Sequence, residues 1–325
     1  MQRDISRYIG GARHSELPAD VKTDFKKASF LEWVTVGYLL TVAVVMYLAM
    51  GTSAAMKAAW VEDVVSIFPA IAFLVASYFF DRKSNINFPY GYHRAYTAAF
   101  ITGSVALLVL GLYILINSAI SLITQDHPTI GTINLYGHEI WMGWLMILAL
   151  LYSFLPAIFL GRKKMPLASR MHQKVLHVDS EAQKADWMTA CAGMVGIIGI
   201  GLGFWWADSV AAVLISLSIV RDGVARSGDS VKDLMDELPR TYDNKAIHPL
   251  VSEVVSLCLQ QSWIEDVRIR MREHGMVFFG DIFIVPRDER NLTDKIVDLQ
   301  KRIQELDWKI QDIAITPVKH FEEDT

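Results

Sequence analysis

Cysteine is scarce in this chain. Of 325 residues only Cys191, within an apolar run, and Cys258, in a distant polar stretch, carry a thiol, which excludes a disulfide framework and a thiolate zinc cluster. Both read as small buried residues. Charge is scarce too: Asp, Glu, Lys and Arg make up 20% of the chain against 52% hydrophobic residues, and mean hydropathy is +0.28. That balance is unusual for a soluble protein and reads as a chain integral to a membrane. No paired nucleophile and base, phosphate-binding loop or clustered histidine motif appears, which argues against an enzyme. Net charge is −4, and the basic residues gather in particular connecting segments rather than on one face, so nucleic acid is not an expected partner.

What is present is a series of long apolar runs. Six segments, at about 30–50, 57–80, 95–123, 139–161, 180–205 and 207–226, reach the roughly 20 helical residues needed to cross a hydrocarbon core of about 30 Å. The polar stretch before the first lacks a cleavable signal pattern, so that span is expected to be retained. Arg82, Lys83 and Arg94 follow the second span, and Arg162, Lys163, Lys164, Arg170 and Lys174 follow the fourth. Opposite loops carry Lys57 at most, and 125–138 holds no Lys or Arg. The excess of positive charge marks the former loops as cytoplasmic, with both termini inside.

The expected domains are a cytoplasmic N-terminal segment at 1–28, a six-helix transmembrane domain at 29–228, a connector at 229–239 and a soluble α+β domain at 240–325. In the last, periodicity predicts a helix over 246–261, strands over 267–272 and 276–286, a helix over 291–306 and a strand over 310–318. This αββαβ order implies one sheet with two helices on a face, a ferredoxin-like arrangement. The fold class expected is an α-helical polytopic membrane protein with six transmembrane helices and this domain at its C-terminal, cytoplasmic side.

Acids inside apolar runs are costly and mark function by default. Glu62 and Asp63 sit in the second span, and Asp186 opens the apolar continuation of the fifth. Either Glu62 and Asp63 are functional or they form a wet pair near the outer end of their helix; either Asp186 is a ligand or it pairs with Lys184 or another helix. Pro69 removes the backbone hydrogen bond to the Val65 carbonyl, which either faces a cation beside Ser66 or reflects a packing kink.

The six spans, these acids and the αββαβ domain resemble the cation diffusion facilitator family. Tyr90-Gly91-Tyr92-His93-Arg94-Ala95 is similar to that family's entry to span three, Ala207-Asp208-Ser209-Val210-Ala211-Ala212 to its start of span six, and Ser230 to Pro239 to its exit into the soluble domain. The resemblance covers about 30–318. It places the transport site on Glu62 and Ser66 of span two and on Ala182 and Asp186 of span five, with Asp63 and Gln183 one residue beside the expected positions. Glu62, Asp63, Ser66, Gln183 and Asp186 are therefore the candidate metal ligands; spacings of three and four put each set on one helix face. Such oxygen donors favour Mg²⁺, Mn²⁺ or Fe²⁺ over Zn²⁺ as the transported ion, and no resident cofactor is expected.

The same resemblance implies a homodimeric cation/proton antiporter that exports divalent metal from the cytoplasm by alternating access, in a lipid bilayer and, for a bacterial chain, the inner membrane. It also implies a charge interlock between Arg94 and Asp236; both residues also fit ordinary interfacial charges. Its second metal site falls on Asn85, Phe88 and Tyr92, which do not reproduce a carboxylate–imidazole cluster. His248, His274 and His320 read as solvated, with His320 and its acidic neighbours Glu322, Glu323 and Asp324 a weak cation site at most. The rival function is a non-transporting membrane scaffold or metal sensor that kept the fold.

Overall fold

A computed structural model describes residues 18–80, 85, 87–125, 129–135 and 138–321. The N-terminal segment before residue 18, Arg82 and Lys83, and Glu322 to Asp324 lie outside the described residues. Helices α1 (Ala19–Ala49), α2 (Ala54–Val65), α3 (Ile67–Phe80), α4 (Ala95–Ile123), α5 (Met142–Met171), α6 (Lys174–Gly201) and α7 (Ala207–Leu234) form a bundle, with a short hairpin of β1 (Thr132–Leu135) and β2 (His138–Trp141) before α5. Beyond α7 come α8 (Pro249–Leu259), β3 (Ile264–His274), β4 (Val277–Pro286), α9 (Leu292–Leu306) and β5 (Ile310–Pro317).

Four helical stretches among the described residues are long and apolar enough to cross a membrane: α1, the Ala54–Val75 part of α2 and α3, Phe100–Ile123 of α4, and α5. Helices α6 and α7 are as long but carry more charge, including Lys174, Asp179 and Asp186 on α6 and Asp208, Arg221, Asp222 and Arg226 on α7. Much of that charge is buried against neighbouring helices. Apolar side chains such as Leu40, Val44, Leu48, Ile116 and Val195 instead point outward. Cys191 is also exposed rather than buried, because it lies on this outward face; Cys258 is buried.

Three boundaries depart from the sequence reading. Span two is two helices, broken at Ser66. The basic stretch expected as a loop between spans four and five is helical, leaving only His172 and Gln173 between α5 and α6. His172 adopts the left-handed conformation (φ 53°), and its N–H reaches the Ala168 and Ser169 carbonyls, closing the turn. The 125–138 loop, free of Lys and Arg, and the first residues expected in span four form an unexpected hairpin, in which Ile133 pairs with Ile140.

Small residues let the helices approach. A Cβ at Gly223 of α7 would stand 2.8 Å from the Leu108 backbone of α4, and one at Gly196 of α6 would stand 2.8 Å from Ala211 of α7. At the opposite end from the soluble domain, Asp208 caps α2: it accepts from the Ser53 hydroxyl at 2.6 Å and from the Ala54 and Ala55 amides at 2.5 and 3.3 Å.

Within the soluble domain, β3 and β4 pair antiparallel and β4 and β5 pair parallel, so β4 is central. The parallel step needs a crossover, which α9 supplies. Val254 and Cys258 of α8, Phe278, Ile282 and Ile284 of β4, and Leu299 and Ile303 of α9 make its core.

The two parts meet in a second apolar cluster joining Ala28 of α1, Phe73 of α3, Met171 of α5 and Leu176 of α6 to Met276, Val277 and Phe279 of the β3–β4 hairpin. Polar groups rim it. Arg94 pairs with Asp236, where the chain leaves α7 in a left-handed turn (φ 60°). His274 Nε2 lies 3.0 Å from the Arg94 guanidinium and 3.4 Å from Asp236. Lys174 pairs with Glu273 at 2.9 Å and Asp233 at 3.4 Å. His274 is therefore buried rather than solvated, and His248 packs its ring 4.7 Å from His172 and 5.0 Å from Phe278.

A buried ion cluster ties the bundle together. Lys164 of α5, with no solvent exposure, donates to Glu32 of α1 at 2.9 Å and to Asp179 of α6 at 2.5 Å. Removing one partner of such a cluster strands the others in a low-dielectric interior, at a cost of about 3–5 kcal/mol. Lys164→Met is expected to lower stability by about that amount in detergent unfolding, and the triple change Glu32→Gln/Lys164→Met/Asp179→Asn to recover part of it.

Acid is expected to weaken the joint. Burial, reinforced by Arg94, holds the His274 pKa down at about 4. Burial likewise holds His248 down at about 4 and His172 at about 3. Between these values and 6.5 an unfolded histidine takes a proton that the folded one refuses, so stability falls as pH falls. Burial raises Glu273 from 4.5 to about 7 and raises Asp233 as well, and both oppose this with the reverse sign. Three histidines outweigh two acids. Protection of the Arg272 to His274 amides, taken as exchange relative to the intrinsic rate at each pH, is expected to fall as pH drops from 6.5 towards 4, and His274→Gln to flatten the profile.

Candidate cation site

The break in span two has a local cause. Pro69 has no N–H for the Val65 carbonyl, and its ring crowds that turn. Helix α2 ends at Val65, and Ser66 caps it with its N–H on the Glu62 carbonyl at 2.9 Å. The last turn of α2 thus presents Glu62 and Ser66 on one face, four residues apart.

That face lines a cavity of about 250 Å³ between α2, α6 and α7, where Glu62 and Ser66 meet Asp186 and Thr189 of α6 and Asp222 and Arg226 of α7. Glu62 Oε2 is buried without a hydrogen-bond partner among the described residues. Thr189, three residues beyond Asp186, is within hydrogen-bonding reach of Glu62. Asp222 and Arg226 form an ion pair at 3.8 Å, with the Asp222 side chain 53% exposed and Arg226 17% exposed. The cavity therefore runs from the half-exposed Asp222 to the partly buried Glu62, and Arg226 is its one basic lining residue among the described residues.

Three of the five residues singled out from sequence line this cavity: Glu62, Ser66 and Asp186. The other two point elsewhere. Asp63, one position round the helix, is buried against α5 and accepts from Ser153 Oγ at 2.9 Å through both oxygens. Gln183 donates to Asp179 at 3.1 Å and so joins the Lys164 cluster, leaving its Oε1 buried and unpartnered. Consecutive residues on a helix are rotated by about 100°, so with Glu62 on the cavity Asp63 turns to α5.

Sequence reasoning missed Thr189, Asp222 and Arg226. The first lies at i+3 from Asp186 and the other two at i+4 from each other, a helical spacing that only the α7 contact makes relevant. In the segment before α4, Asn85 donates to the Tyr92 hydroxyl at 2.6 Å and the Phe88 and Tyr92 rings stand 4.6 Å apart, a packed turn rather than a ligand set. Among the described residues no three of His, Cys, Asp and Glu gather as a metal cluster; with Asp222 paired to Arg226, the cavity offers the two carboxylates of Glu62 and Asp186 together with hydroxyls. Such a donor set suits transient cation binding better than a fixed tetrahedral site.

Comparison with known proteins agrees with this architecture. Residues 32–235 match the family model for the cation efflux transmembrane domain. The chain is 21% identical over 256 residues to the manganese efflux system protein MneS of Bacillus subtilis (strain 168), spanning 78% of this chain and 82% of that protein. It is 27% identical over 226 residues to the cadmium, cobalt and zinc/H(+)-K(+) antiporter of the same organism, spanning 67% and 66%. A third relative there, the uncharacterized transporter YdbO, is 23% identical over 199 residues, or 61% and 62% of the two chains. With the match extending from the first helix to the end of α7, the chain belongs to the cation diffusion facilitator (cation efflux) family of membrane transporters.

Proposed function

We propose that this transporter is a proton-coupled exporter of divalent metal ions, working by alternating access around Glu62, Ser66 and Asp186. The observation that carries the proposal is the meeting of two acids from non-adjacent helices, α2 and α6, in one cavity that runs to the half-exposed Asp222. Two carboxylates neutralise one divalent ion, and protons restore neutrality when it leaves. Ser66 and Thr189 add hydroxyl oxygens, and the Val65 carbonyl, freed by Pro69, is a further donor. Asp63 and Gln183 would join only if their helices turned away from Ser153 and Asp179.

Oxygen donors without imidazole favour Mg²⁺, Mn²⁺ or Fe²⁺ over Zn²⁺. The manganese efflux relative agrees with that order, whereas the cadmium, cobalt and zinc antiporter fits it less well. The distribution of Lys and Arg supports six crossings with both termini cytoplasmic, so the Asp222 end of the cavity faces the cytoplasm. The αββαβ domain at 240–325, ferredoxin-like in element order, then hangs below a bacterial inner membrane, tethered by the Arg94–Asp236 interlock and available for dimerisation.

In proteoliposomes, Asp186→Asn and Glu62→Gln are each expected to abolish metal-driven proton flux while leaving the protein monodisperse. Calorimetry is expected to detect Mn²⁺ or Fe²⁺ binding that is tighter than Zn²⁺ binding and lost in Asp186→Asn. Undiminished flux in both variants would overturn the site, and metal binding with no flux under any gradient would favour a sensor.

A further inference from the structure

A larger cavity, of about 810 Å³, opens at the opposite end of the bundle from the soluble domain, between α2, α4 and the start of α7. Its lining is of a different character from the cation cavity. Lys57 is the only charged group among the described residues that line it, and around it stand the Trp60 and Tyr113 rings and the polar side chains of Asn117, Ser118 and Ser209. Among the described residues no carboxylate lines it. Such a volume lies within the range of about 300–1,000 Å³ typical of ligand clefts.

Two features point to an occupant. The Ser209 hydroxyl is 1% exposed and makes no hydrogen bond among the described residues, although it lines the cavity. Lys57 makes no ion pair among the described residues. Asp208, the acid that senses its charge, is engaged by Ser53, Ala54 and Ala55 at the start of α2. A positive centre with hydroxyl and amide donors and no acid is complementary to an oxyanion.

Depth and shape narrow the chemistry. Lys57 lies in the first turn of α2, and Asn117 and Ser118 lie within roughly 10 Å of the end of α4 at Ile123. That is headgroup level, not the middle of the hydrocarbon. The rim is apolar and outward-facing, with Tyr113 63% and Ile120 50% exposed, as suits acyl chains. Trp60 is pinned by its indole N–H on the Ala43 carbonyl at 2.9 Å, so its ring is a fixed wall.

We propose that this cavity binds the phosphate headgroup of an anionic phospholipid, with Lys57 as counter-charge and Asn117, Ser118 and Ser209 as hydrogen-bonding groups. The acyl chains leave over Tyr113 and Ile120 into the bilayer. The bound lipid packs between α2 and α4 and so bears on the helix that carries Glu62.

The test is native mass spectrometry of the full chain in detergent, titrated with phosphatidylglycerol or phosphatidylcholine, for the wild type, Lys57→Gln and Lys57→Arg. The wild type and Lys57→Arg are expected to hold one phosphatidylglycerol per chain that phosphatidylcholine does not replace and excess inorganic phosphate does not displace. Lys57→Gln is expected to bind it about tenfold more weakly, the loss of one charge-assisted contact. Equal retention by the wild type and Lys57→Gln, no preference between the lipids, or displacement by inorganic phosphate would overturn the proposal.

Discussion

The contact of Lys164 with Glu32 and Asp179 sets the rotation of α6, and the cation cavity depends on that rotation. Asp179 and Asp186 are seven residues apart, nearly two full turns, so they lie within about 20° of one another around the helix. Holding Asp179 on the buried ammonium therefore aims Asp186 at the interface with α2. A hydrophobic seam alone would set the angle loosely, because apolar side chains in lipid have no strong preference for one neighbour over another. A buried ammonium between two carboxylates has one satisfactory geometry.

The same cluster explains which residues singled out from sequence share the candidate cavity and which do not. Glu62, Ser66 and Asp186 are legible because acids in apolar runs are expensive and their spacing defines a helix face. Asp63 and Gln183 fit the pattern as well as these three do. What turns them away is the partner each finds: Ser153 on α5 for Asp63 and Asp179 for Gln183. Those partners lie 90 and 4 residues off in the chain, and the nearer is informative only once Lys164 is known to hold it. Lys164 itself reads as one of several basic loop residues, since the helical continuation of α5 to Met171 is hidden by charge and by Pro166.

The fold was more legible than the site. In the soluble domain the strand and helix order follows from alternation in 276–286 and from the helical spacing of Leu292, Ile296, Leu299 and Ile303, local signals that the core of that domain uses directly. The membrane helices are visible as apolar runs, but the ends of α5 and α6 nearest the soluble domain are not, because both helices continue there as charged helix. The β1–β2 hairpin was invisible for a related reason: four-residue strands give too short an alternation to stand out. His274 was misread as solvated because burial at a joint between domains depends on contacts that neither part has alone, whereas His320 is exposed as expected. His274 meets Arg94 from 180 residues away.

The tight turn at His172 and Gln173 has a mechanical corollary. With no slack between them, α5 and α6 form a stiff antiparallel strut. Ser153 on the first and Asp186 on the second then cannot travel independently. Any reorientation that carries Asp186 from one membrane face to the other must drag α5 with it and strain the Ser153–Asp63 bond, so the sliding surface is the one that bond crosses, between this strut and α2.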